Sequence, residues 1–89
     1  MKDKVAALLQ EHKVDEAIDL IYSFKADGGR MDDTLYYLLG NAWRKKGNWQ
    51  MAINNYLEAV RLNPDSPAAG ALEIANNILD YYNKDLYNP

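Results

Sequence analysis

The sequence predicts an all-α protein of five helices, and three observations carry that reading. Its apolar residues recur three and four positions apart, the period of one helix face. No segment sustains the alternation of a half-buried strand. The breaks between periodic segments hold residues that stop and start helices. With 89 residues and 48% of them hydrophobic, the chain is long enough for one thin core, burying roughly 60–65% of its unfolded surface.

Taken in order, the first stripe is Val5, Leu8 and Leu9, and the second is Val14, Ala17, Ile18 and Ile21. "ADGGRMDD", residues 26–33, is the loosest joint, with two glycines and then Asp32 or Asp33 as the next N-cap. The third helix carries Leu35, Leu38, Leu39, Ala42 and Trp43 on one face. Gly47 suits a left-handed residue after a helix end, and Asn48 an N-cap, so two antiparallel helices meet within two residues. The fourth helix carries Trp49, Ala52, Ile53, Tyr56 and Val60. Asn63-Pro64 ends it, because a residue before proline is pushed out of the α region. Ser66 caps the last helix with Pro67 at its first position, and the stripe Ala71/Leu72, Ala75, Ile78/Leu79, Tyr82 follows.

Charge and composition exclude several functions. The net charge of −3 and a single basic run, Arg44-Lys45-Lys46, leave no basic face for nucleic acid. The absence of cysteine removes disulfides, thiolate metal sites and a cysteine nucleophile, and fits a reducing compartment. Near the N-terminus only Val5 to Leu9 are continuously apolar, too short for a signal core or a membrane span. A soluble, cytoplasmic protein without membrane contact is expected.

No catalytic constellation is visible. His12 is the only histidine, and one histidine cannot make a metal site by itself; it is explained as an end-of-helix residue. Asp15 and Asp19 share a helix face, but without an apolar pocket to separate their pKa values they are a solvated face. There is no Ser–His–Asp set and no glycine-rich phosphate loop. The expectation is a protein that is no enzyme and that uses neither cofactor nor metal.

The chain repeats itself at an offset of 35. Leu8 falls on Trp43, Val14 on Trp49, Ala17 on Ala52, Ile18 on Ile53 and Ile21 on Tyr56. Each unit is a helix, a tight turn and a helix. Residues 33–66 carry Tyr36-x2-Leu39-Gly40-x2-Trp43, then Gly47, Trp49, Ala52-x3-Tyr56, Ala59 and Pro64. This pattern resembles the tetratricopeptide repeat, a unit of roughly 34 residues. Small residues let helix backbones approach while the aromatics fill the adjoining holes.

Residues 2–30 resemble a degenerate first repeat, with Val5 where the family has glycine, His12 aligned with Gly47 and no closing proline. Residues 67–83 resemble the capping helix that follows a last repeat, and 84–89 form a tail. The resemblance implies one domain over residues 1–89, built as a short right-handed α-solenoid of stacked antiparallel helix pairs.

It also implies a non-catalytic interaction module that holds a protein or peptide segment on its concave face. The positions facing such a groove are Thr34, Tyr37, Asn41, Arg44 and Lys45. For Arg44-Lys45-Lys46 there is a plainer reading too, since cations suit the negative end of a helix. In the last helix the corresponding positions are Ala68, Ala71, Ala75 and Ile78, which either floor a shallow apolar end of the groove or meet the neighbouring helix. Some proteins of the family clamp a C-terminal carboxylate across three repeats; this chain has too few, and Leu38 stands near a clamp asparagine's place.

The alternative is a structural homodimer formed through the apolar end or the tail; residues 81–89 are apolar at Tyr81, Tyr82, Leu86 and Tyr87, and either Tyr82 and Leu86 finish the core or the tail docks in a groove, its own or a neighbour's. Arrays of this kind usually need about three repeats for stability.

Overall fold

The computed structural model of the chain describes residues 1–75. Four helices are complete: α1 (Lys2–Gln10), α2 (Val14–Ala26), α3 (Asp33–Lys45) and α4 (Trp49–Leu62). Residues 68–75 are also helical, and no strand occurs among the described residues. The all-α expectation holds. The expected stripe at Ile78/Leu79 and Tyr82, the end of the last helix at residue 83 and the tail 84–89 lie outside the described residues.

Successive helices are joined by one device used three times. The Asn48 N–H bonds back to the Trp43 carbonyl at 2.9 Å and Gly47 N–H to Arg44. This closure satisfies the last carbonyls of a helix and needs a left-handed residue at its centre. Gly47 supplies it with φ +81. At the end of α2, Gly29 N–H reaches the Phe24 carbonyl at 2.9 Å, with Gly28 at φ +90. At the end of α1, Lys13 N–H reaches the Leu8 carbonyl at 2.8 Å, and the left-handed residue is His12 at φ +62. His12 therefore does a glycine's work, 35 positions before Gly47.

Helix starts separate the two halves in the same way. Asp32 accepts from the Leu35 N–H at 2.9 Å, so Asp32 rather than Asp33 is the cap of α3. Asn48 caps α4 through the Met51 N–H at 3.1 Å. Ser66 accepts from the Ala68 N–H at 3.1 Å. Neither Met1 nor Lys13, the N-cap residues of α1 and α2, makes a side-chain cap bond. Asn63 leaves the helical region at φ −148 before Pro64, and its amide donates to Asp33 at 3.0 Å, tying the end of α4 to the start of α3.

The core has two parts joined by Trp43, which packs against both. The first holds Val5, Leu9, Ala17, Ile18, Ile21, Leu39 and Ala42. The second holds Ala52, Tyr56, Ala59 and Ala68. Ala68 is fully buried there, with Ala71 packed against the same cluster, so these residues meet the neighbouring helices rather than floor a groove.

The tightest approach is between α3 and α4 at Gly40. A Cβ at Gly40 would lie 2.6 Å from Cδ1 and Cε1 of the fully buried Tyr56 ring. At the equivalent places of the first repeat stand Val5 and Ile21, both fully buried. A larger residue on the first helix is matched by a smaller one on the second, which conserves volume where packing is dense.

Two outcomes follow. Replacing His12-Lys13 by Gly-Asn copies the joint at Gly47-Asn48 into the first repeat. Relief of a left-handed non-glycine residue and gain of a cap are each worth about 1 kcal/mol, so chemical denaturation should show stabilisation by roughly 1–2 kcal/mol. Gly40→Ala should lose about 1–3 kcal/mol by overpacking, despite its better helix propensity. The loss should largely vanish when Gly40→Ala is made on a Tyr56→Ile background.

Candidate functional site

Beside α1, the exposed side of α3 forms a groove made of two adjoining depressions. The larger, of about 270 Å³, is lined by Lys2, Asp3 and Ala6 of α1, by Thr34, Tyr37 and Leu38 of α3, and by Ser66 and Pro67. The other, of about 210 Å³, is lined by Ala6, Leu9 and Gln10 with Leu38, Asn41, Arg44 and Lys45. Ala6 and Leu38 line both, so the two depressions adjoin.

Of the residues expected at a groove, Thr34 and Tyr37 lie at the first depression and Asn41, Arg44 and Lys45 at the second. The α1 wall was not predicted, yet the offset of 35 points to it. Lys2, Asp3, Ala6, Leu9 and Gln10 are the equivalents of Tyr37, Leu38, Asn41, Arg44 and Lys45. Leu38, expected in the core stripe of α3, packs against the first core cluster but is only half buried and also lines the groove. A stripe that includes both i+3 and i+4 positions spans a wide arc, and Leu38 sits at its edge.

One core side chain, Tyr56, touches this surface from beneath. The Tyr56 hydroxyl donates to Asn41 Oδ1 at 2.5 Å. Its ring lies 6.0 Å from the Tyr37 ring, tilted by 40°, within the range of favourable aromatic pairs. Burial pushes the Tyr56 hydroxyl above its ordinary value, although the nearby Arg44 charge works the other way; it stays protonated and a donor. The amide of Asn41 is thus held by its oxygen.

The basic run divides. Lys46, at the end of α3, pairs with Asp15 at the start of α2, on a face that remains solvated. Arg44 and Lys45 have no carboxylate partner among the described residues. Lys2 pairs with Asp32 and so ties α1 to the cap of α3 at the far end of the groove. Burial alone would raise the Asp32 carboxyl, but the bonds from the Lys2 ammonium and the Leu35 N–H outweigh it and hold it below the ordinary 3.8.

Among the described residues, no three of His, Cys, Asp and Glu gather closely enough to hold a metal ion. No described helix is long and apolar enough to cross a membrane.

The sequence pattern of the tetratricopeptide repeat matches residues 34–66. A Bacteroides fragilis protein, BF1650, solved by solution NMR, is 41% identical and superposes with a TM-score of 0.84 over 99% of this chain and 89% of that one. This chain belongs to the tetratricopeptide repeat family. No curated protein matches it significantly. Tetratricopeptide repeats generally mediate protein–protein interaction and are, as a class, non-catalytic.

Because the folded carboxyl of Asp32 titrates below its unfolded value, its contribution is present above about pH 4 and is lost as pH falls through the lowered value. Asp32→Ala should cost about 1 kcal/mol at neutral pH as a lost cap. Acid titration of stability should show a smaller drop in that variant than in the parent below pH 4.

Proposed function

We propose that this tetratricopeptide repeat protein is a non-catalytic interaction module that holds an extended peptide segment of a partner protein in the groove between α1 and α3. The observation that supports it most is that Thr34, Tyr37, Asn41, Arg44 and Lys45 line two adjoining depressions along one side of α3. Its walls come from rigid helices, so little ordering is required of the protein on binding. Tyr37 and Leu38 offer apolar area, and the polar groups fix orientation. A second reading, a homodimer, is favoured by the exposure of Leu57 and Ile74, each more than half accessible.

Display of a random peptide library against the full chain separates the two. The groove reading expects enriched peptides that bind a monomer and lose about tenfold or more in affinity on Tyr37→Ala or Arg44→Glu, with helicity unchanged. The dimer reading expects light scattering to give twice the monomer mass, reverting on Leu57→Asp or Ile74→Asp. Peptides unaffected by the groove changes would exclude the first reading.

A further inference from the structure

At the Arg44 end of the groove donors predominate, and the Gln10 amide, which can both donate and accept, is the one side chain there with an acceptor left over. Asn41 spends its oxygen on the Tyr56 hydroxyl, which leaves the amide NH₂ to face a ligand. Arg44 and Lys45 can only donate, and neither is neutralised by a carboxylate among the described residues. Lys46, which would complete the basic run, is already paired with Asp15. No aspartate or glutamate lines this depression, although the chain as a whole carries −3. Ala6, Leu9 and Leu38 provide apolar walls beside the cations, where a charge-assisted bond is less weakened by water.

The other depression differs. Its cation, Lys2, is held by Asp32, Asp3 adds a negative charge, and Tyr37, Leu38, Ala6 and Pro67 supply apolar surface.

Resting on the groove reading above, we propose that the groove selects an acidic peptide segment: a side-chain carboxylate at Arg44 and Lys45, a backbone carbonyl on the Asn41 amide, and an apolar side chain beside Tyr37. Tyr37 and Arg44 are seven positions apart on α3, about 10 Å at the helical rise. An extended chain covers that span in about three residues, so the apolar residue and the carboxylate stand two or three positions apart in the ligand. Tyr56 is a positioning residue: it acts on the ligand only through Asn41.

The test is the same random display, run against the full chain with peptides whose C-termini are fused or amidated. The expected result is enrichment of glutamate or aspartate two or three positions from a leucine or aromatic residue. A charge-reversed Arg44→Glu/Lys45→Glu protein should lose that enrichment in favour of lysine and arginine. Binding of the selected peptides should weaken about tenfold or more on Arg44→Glu and as salt is raised. Tyr56→Phe should weaken it severalfold, and Asn41→Ala on that background should add little, whereas a merely structural Tyr56 would leave Asn41→Ala its full effect.

Enriched peptides without acidic residues, equally affected by Tyr37→Ala, would overturn this inference while leaving the groove reading intact. So would enrichment that appears only in a second library whose C-termini are free. No enriched peptide from either library would overturn both.

Discussion

The structure turns on the close approach of Gly40 to the Tyr56 ring. Without a side chain at Gly40, α3 settles onto α4 closely enough for the ring to be fully buried, which is worth about 1.5–3 kcal/mol of transfer free energy for a large side chain. The same approach carries the Tyr56 hydroxyl through the helix pair to the groove side, where it meets Asn41. A packing constraint in the core thereby sets the orientation of a polar group on the surface. In the first repeat, Val5 and Ile21 fill the corresponding space, and Ala6 stands where Asn41 does. At that place the first half of the protein contributes an apolar wall, Ala6 beside Leu9, and its own amide, Gln10, stands at the equivalent of Lys45 instead.

The two repeats divide the work. The second has a capped helix at both starts, glycine at its left-handed joint and the polar groove groups. The first has uncapped helices, a histidine in the left-handed region and mainly an apolar face. Its attachment rests on the first core cluster, on Trp43, and on the pairs Lys2–Asp32 and Lys46–Asp15. Exposed pairs of this kind contribute little each, so apolar packing dominates the stacking of one repeat on the other.

Much of this was legible from residue order. Local chemistry announced the joint at Gly47-Asn48, the stop at Asn63-Pro64 and the start at Ser66-Pro67, because backbone conformation there depends on one or two residue types. The choice between Asp32 and Asp33 was not legible: either side chain can cap, and the helix phase decides. The pairing of Lys46 with Asp15, 31 positions apart, depends on how the repeats stack. Ala68 belongs to the core for the same reason, since the tilt of a helix determines which of its small residues is covered. The α1 wall escaped attention because Leu9 does not resemble its equivalent Arg44 chemically, although both occupy the same place in the repeat.

Binding at the concave surface is best checked by titrating the isotopically labelled protein with a library-selected peptide and following the NMR spectrum. The largest shifts should fall on Ala6, Leu38, the Asn41 side-chain amide and Arg44, with the exposed side of α4 unchanged. Shifts concentrated on Leu57 and Ile74, with Asn41 silent, would contradict it.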